Sequence, residues 1–524
     1  MEITSGLFEH MVLQRGRKNQ SDAKFSGYSA INGTLMAKVS SRGKPVKGFS
    51  ARRVGVVQRK KLSGCLKGLP VGGPYRIELT VKDKEVKAES LLIDDVLVGD
   101  VWILAGQSNM QGAGLLSEGC QLHPEVRGFY MDDRWAVAKD PLHQLNCAID
   151  DVHWELQGQA KPASAVIGCG THPPRPLPLN GVGPGIAFAQ ELQRLRQIPQ
   201  GVIACSHGGT SMSQWDPKLK NLCGKSLYGA MLRRVLKNGG KVAGVAWYQG
   251  EADANGNCSE AYHKRMKQFI QSLRRDLGKA RLPFALVQLS RVIGWDVSSW
   301  LHWNRVQESQ RRLAQEMAGV TVVPAIDLCL VDIIHISGSD QVRLGKRLAQ
   351  AMEVLTQGRR AGLEPLQPGK IRLRTHPAHG LGVIELAIKN VEGALSSGDR
   401  PSGFSVGDPE NSVNVHDIQL RGRTVRIQTN LSLLDLKKST LWYGRGTEAY
   451  CNIRDEKDRA LPVFGPLPIG VPLALSPCIR QWSVSPILPA PKSLAKLSCP
   501  SHAQPLEERL FATDFANRHQ ELMK

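Results

Sequence analysis

The chain lacks any stretch of about 18 uncharged apolar residues, so a helical membrane span is excluded. Its N-terminus, Met-Glu-Ile-Thr-Ser-Gly-Leu-Phe-Glu-His, has neither a basic segment nor an apolar one behind it, so no signal peptide is visible. As printed, the chain is expected in the cytoplasm, and in the periplasm or outside the cell if its true start lies upstream. Its 11 cysteines form no C-x-x-C pair, a spacing that fits neither a zinc site nor a disulfide scaffold. Aromatic residues make up only 6%, and none form a ladder among the basic residues, which argues against a single-strand nucleic-acid binder. No internal repeat occurs.

Positive charge is abundant. Lys+Arg 68 against Asp+Glu 47 leaves a formal net charge of +21, spread over the first hundred residues and again over Lys370 to Arg426. A solvated basic surface accounts for it, and no nucleic-acid partner is expected. With 524 residues, two or three domains are expected. Residues 1–95 read as a small antiparallel β domain, with short strand-like runs at Thr34–Val39, Arg53–Gln58 and Tyr75–Val81 separated by Gly, Pro and Ser. Residues 96–357 alternate strand and helix, the signature of an α/β unit with a parallel sheet covered on both faces. The Pro-rich run Thr171 to Pro178 is read as a loop. After a linker from Gly358 to Gly369, residues 370–469 return to strands, and 470–524 form a Pro/Ser/Lys-rich tail expected to be partly disordered.

The chemistry gathers where strands end. Val101 to Ala105 is an apolar run that stops at Gly106-Gln107-Ser108-Asn109, which reads as strand, tight turn and helix start. That geometry presents a hydroxyl beyond a sheet edge with helix N–H groups behind it. The bland alternative is a serine that merely caps a helix. A serine nucleophile needs a base and an orienting acid. Asp332-Ile333-Ile334-His335 offers both in one loop; His207, after the strand at Val202, is the competing base but has no carboxylate close upstream. Ser108 N–H, a backbone N–H at Gly183, with Gly181 and Gly185 as alternatives, and the Gln249 side-chain amide could supply oxyanion donors. Each has a plain reading too, the glycines as turns and Gln249 as a loop bridge. The order Ser, Asp, His is that of α/β-hydrolases, but Met110 stands where their G-x-S-x-G elbow has its second glycine.

Gly106-Gln107-Ser108-Asn109-Met110, Gly209 to Trp215, Trp247 to Asp253 and Asp332-x-x-His335 together resemble the sialate O-acetylesterases, a branch of the SGNH hydrolases. The likeness extends to Gly6-Leu7-Phe8, Met11 to Arg15, Gly72 to Tyr75 and Leu97 to Trp102 before the catalytic segment, and to Gly403-Phe404 and Leu461 to Phe464 after it. It implies a three-layer α/β core flanked by N- and C-terminal β regions, with Ser108 as nucleophile, His335 as base, Asp332 as its partner, and Gly183 and Gln249 beside Ser108 in the oxyanion hole. It implies removal of O-acetyl groups from sialic acids with no metal and no cofactor. Gln107, Trp215 and Glu251 are assigned to substrate binding. Gln107 in place of the usual aspartate, and Gln249-Gly250-Glu251 in place of G-x-N-D, are features of the sialate and plant-type carbohydrate esterases within that group. Another acetylated carbohydrate such as xylan, or a catalytically inactive carbohydrate-binding role, are the alternatives; the oligomeric state is not legible.

Overall fold

The computed structural model describes residues 1–82, 88–161, 181–295, 300–357, 364–407, 412–413 and 415–470. The loop expected at Thr171–Pro178 and nearly all of the expected tail lie outside these residues. Met1–Leu473 form one compact unit.

One strand organises it. β1 (Ala88–Gly106) is 19 residues long, and its burial changes along its length: half-exposed and alternating at first, then continuously buried. The sequence explains the change. Polar residues, Glu89, Ser90, Asp94 and Asp95, are mixed with apolar ones through Asp95, as on a sheet with one wet face, and Val96 to Ala105 is nearly all apolar, as in a strand covered on both faces. Accordingly the first part pairs antiparallel with Gly72–Lys82, in an N-terminal sheet that also holds Gln20–Tyr28, Gly33–Ser41, Arg52–Gln58 and Lys61–Pro70. The second part lies at the centre of a parallel sheet. A single strand therefore crosses residue 95, where the sequence suggests a boundary. Gln20–Tyr28 carries no long apolar run, but its strict inside-outside alternation, with Ser21, Ala23, Phe25 and Gly27 inward, places it in the sheet.

The parallel sheet runs β2 (Val126–Phe129), β3 (Gln200–Ala204), β1, β4 (Gly244–Tyr248), β5 (Phe284–Gln288), β6 (Val320–Pro324). Helices α1 (Ser108–Gln111), α2 (Gly185–Arg196), α3 (Leu227–Lys237), α4 (Gly256–Asp276), α5 (Trp300–Glu316) and α6 (Gly338–Gln357) alternate with these strands. α2 packs on α6, and α4 on α5. The α2–α6 approach is close: a Cβ on Gly345 would lie 2.4 Å from the Pro184 carbonyl oxygen.

The C-terminal region adds a four-stranded antiparallel sheet (Gln367–Thr375, Gly382–Lys389, Thr424–Thr429, Val415–Arg421) and a second one containing Phe404–Gly407, Thr440–Tyr443 and Phe464–Pro468. Their apolar faces make one core that also takes in Ile326, just beyond β6. The strand at Gln367 begins inside the stretch expected to be linker. Among the described free cysteines only Cys205 and Cys451 are buried, and Cys147 is disulfide-bonded. No helix among the described residues is long and apolar enough to cross a membrane.

At the end of β1, Gly106 has φ +138°, and a Cβ there would lie 2.0 Å from the Tyr248 carbonyl oxygen on β4. Any side chain must push β1 and β4 apart. Gly106→Ala is therefore expected to cost about 2–5 kcal/mol of stability from backbone strain and overpacking together, seen as a lowered urea midpoint; an unchanged midpoint would show that the strands can yield there.

Candidate active site

The turn after β1 is tied to both neighbouring strands. Gln107 N–H donates to the Tyr248 carbonyl at 2.8 Å, and the Gly106 carbonyl accepts from His207 N–H at 3.0 Å, just past β3. Gln107 takes the N-cap position, with extended backbone, and Ser108 is the first helical residue of α1. Ser108 thus does not cap the helix, and its hydroxyl is left for other partners. It lies 2.9 Å from His335 Nε2, and His335 Nδ1 lies 2.6 Å from Asp332 Oδ2. The other carboxylate oxygen of Asp332 accepts the backbone N–H groups of Ile334 and His335 at 2.8 and 2.7 Å. Burial by itself favours the neutral acid, but the imidazole and these two N–H donors outweigh it and hold the Asp332 carboxyl well below the usual carboxylate range. Hydroxyl, imidazole and carboxylate, the first two 227 residues apart, are brought into one hydrogen-bonded chain in the order that nucleophilic acyl transfer uses. The tight turn carrying His335 is closed by Val331 N–H donating to the His335 carbonyl and Ser337 N–H to the Cys329 carbonyl.

The remaining expected site residues surround this chain from within the protein. Gln107 Oε1 accepts from Gly250 N–H at 3.4 Å and Ala252 N–H at 3.3 Å, which spends its acceptor on the loop after β4. Glu251 is buried and accepts from Asn109 Nδ2 at 3.0 Å; burial raises its carboxyl above the usual range. Trp215 is 0% exposed, with its indole N–H on Thr210 Oγ1 at 3.0 Å and its ring edge-on to Trp247 at 5.2 Å. It is a core residue and offers no face to a sugar. Gln249, also 0% exposed, donates through Nε2 to the Thr210 carbonyl at 2.9 Å and to Asp253 Oδ2 at 2.6 Å. With both amide hydrogens so placed, it bridges loops in this structure and does not aim a donor at the Ser108 hydroxyl. Gly183 N–H faces the Asp140 carboxyl, which burial nevertheless pushes up to about 7. Of the three expected oxyanion donors, Ser108 N–H lies in the first turn of α1, where no intrahelical acceptor exists.

His207 does not compete as base. Its ring stacks on His153 with centroids 5.2 Å apart and Nδ1 atoms 2.9 Å apart, in the interior. The loop that carries it nevertheless borders the site: Gly208 N–H donates to Gln111 Oε1 at 2.8 Å, on the short helix that begins with Ser108. The hydrogen-bonding role of that loop, and those of Asn109 and Gln341, are what the sequence reading passes over. The strand order β3–β1–β4 makes the ends of β3 and β4 the two neighbours of Ser108, and the helix α6 brings Gln341 to Asn109.

Two consequences can be measured. Trp215→Ala should lower stability by about 3–5 kcal/mol, read as a lower midpoint of urea unfolding; a raised KM at unchanged stability would instead return Trp215 to the sugar. Burial pushes His143 and His207 down to about 4. Between their ordinary value near 6.5 and about 4, the unfolded chain binds protons that the folded chain does not, so stability must fall as pH falls through that window, by up to about 3 kcal/mol for each group. A urea midpoint constant from pH 7 to 4.5 would contradict this, and His207→Asn should make the decline shallower.

Residues 98–354 match the sequence model of a family described as carbohydrate esterase, sialic acid-specific acetylesterase. A probable carbohydrate esterase of Arabidopsis thaliana is 30% identical over 274 residues, covering 48% of this chain and 89% of that protein. The sialate O-acetylesterase of Homo sapiens is 27% identical over 336 residues, 58% of this chain and 62% of the human protein. Among solved structures, a carbohydrate acetylesterase from Xanthomonas citri superposes with a TM-score of 0.62 at 21% identity, covering 88% of this chain and 98% of that one, which shows a shared fold. The chain belongs to the carbohydrate esterases, which are carboxylic ester hydrolases, and its residues 98–354 carry the match to the sialic acid-specific acetylesterases.

Proposed function

We propose that the chain is a serine esterase that removes O-acetyl groups from sialic acids through an acetyl-enzyme. The observation that carries the reading is the continuous contact from Ser108 Oγ through the His335 ring to Asp332. As the hydroxyl oxygen bonds to the acetyl carbonyl carbon, its proton passes to His335 Nε2, and the Asp332 carboxylate stabilises the imidazolium that results. Negative charge develops on the former carbonyl oxygen, and Ser108 N–H at the start of α1 donates to it. His335 then returns the proton to the departing sugar oxygen, and the C–O bond to the sugar breaks. In the second half, water attacks the acetyl carbon, its proton goes to His335, and acetate leaves as Ser108 recovers its hydrogen. Ser108 and His335 are 6% and 1% exposed, so little water competes with these hydrogen bonds.

The sialic acid assignment rests on the family match over residues 98–354 and agrees with the excess of basic residues, since sialic acid is a carboxylated sugar. Ser108→Ala or His335→Ala should lower kcat by about four orders of magnitude with the fold retained, and Asp332→Asn by a comparable factor. Near-normal acetate release from either of the first two would remove the mechanism. Acetate release measured in parallel on O-acetylated sialic acid and on acetylated xylan tests the substrate; a preference for xylan would replace sialic acid by a neutral polysaccharide.

A further inference from the structure

Asn109 follows the nucleophile, and every hydrogen-bonding position of its carboxamide is used. Oδ1 accepts from Ile336 N–H at 3.0 Å and from Gln341 Nε2 at 3.3 Å; Nδ2 donates to the Ile334 carbonyl at 3.3 Å and to Glu251 Oε1 at 3.0 Å. Two donors and two acceptors are the full capacity of a primary amide. The opposite orientation would set oxygen against the Ile334 carbonyl and the Glu251 carboxyl, and nitrogen against an N–H, so only one orientation is chemically satisfied.

Two of these four bonds go to residues on either side of His335. One grips the carbonyl before it and the other the N–H after it. The turn that is gripped faces outward elsewhere: Val331 and Ile333 are each 40% exposed. Asn109 itself is 1% exposed, where a hydrogen bond has little competition from water. It is supported in turn from two other elements, by Glu251 on the loop after β4 and by Gln341 on α6, whose Nε2 also reaches the Asn109 backbone carbonyl at 3.1 Å.

We propose that Asn109 is a positioning residue: its carboxamide joins the His335 turn to the short helix that carries Ser108, so that the distance from hydroxyl to imidazole is fixed by one bracket. The nucleophile and the base then move together. The inference rests on Ser108 and His335 being nucleophile and base. A displacement of about 1 Å at such a contact costs on the order of 100-fold in rate, while substrate binding, which does not use the bracket, should be little affected.

The test compares kcat and KM on a chromogenic acetate ester, with near-UV circular dichroism as the measure of folding. Asn109→Ala should lower kcat about 100-fold with KM within about threefold. Asn109→Asp should do at least as much harm, because it sets a carboxylate against the Ile334 carbonyl and the Glu251 carboxyl. Adding Glu251→Gln supplies an amide donor to that carboxylate and should restore roughly tenfold of the loss, as one regained charge-assisted hydrogen bond allows. Gln341→Leu removes support from Asn109 without touching the triad and should lower kcat about fivefold; it carries the test if Asn109→Ala does not fold. A folded Asn109→Ala enzyme, or failing that Gln341→Leu, with kcat within about twofold of the parent while Ser108→Ala is inactive overturns the bracket and leaves the triad standing. An active Ser108→Ala enzyme overturns the triad itself.

Discussion

The site depends on how closely β1 and β4 approach where both end. Gly106 leaves no room for a side chain beside the Tyr248 carbonyl, and that carbonyl takes the N–H of the next residue, Gln107. On the other flank the Gly106 carbonyl takes His207 N–H. The two peptide groups that bracket the turn are therefore pinned to different neighbours in the sheet, and the first turn of α1 has one place to go. The loops after β3 and β4 are pinned by the same contacts. Side chains then lock the three loops together, Gln107 onto Gly250 and Ala252, Gln111 onto Gly208, and Gln249 between Thr210 and Asp253. Amides dominate this network because each offers both donors and acceptors without charge, and an interior without water leaves no unpaired group cheap.

One buried cluster of charges shares its ions among several partners. Arg234, 1% exposed, donates to the carbonyls of Ala204, Phe129 and Tyr130 and to Asp133, and its guanidinium lies over the Phe129 ring at 4.8 Å. Arg233 spans Asp133 and Asp150. These groups gather the C-terminal ends of β2 and β3 close to the loop that bears His207. A lone ion there would be strongly destabilising, and a paired one fixes the geometry of the strand ends at modest net energy.

The C-terminal β region bears on the same edge of the sheet. Gln288, the last residue of β5, exchanges two hydrogen bonds with the Val463 backbone at 2.9 and 2.8 Å, and Asn304 on α5 donates to the Gly444 carbonyl at 2.9 Å. Arg347 on α6 reaches both Asp327 and Asp458. Asp327 follows β6 and leads directly into the turn of Asp332 and His335, so the C-terminal β region supports the start of the loop that carries His335.

By itself the sequence determined the local things. Periodicity placed most strands and helices of residues 96–357 nearly where they are, because a buried parallel strand is a short apolar run and an amphipathic helix repeats its apolar residues at fixed spacing, but it did not single out the strand Val126–Phe129 or the helix Leu227–Lys237. It also set the pairing of Asp332 with His335, since three residues in one turn can touch without help from the rest of the chain. What tertiary structure decided is every role that depends on direction. Trp215 and Glu251, polar or aromatic residues at strand ends, read equally well as walls of a pocket or as interior supports, and only packing turned them inward. Gln249 and Gly183 have the right groups for holding an oxyanion, yet their N–H groups are aimed at Asp253, Thr210 and Asp140. Asn109 is the reverse case, a residue whose spacing says nothing, given its importance by a contact with residues 225 and 227 positions away. Sequence spacing fixes which groups are near along the chain; the order of strands in the sheet fixes which are near in space.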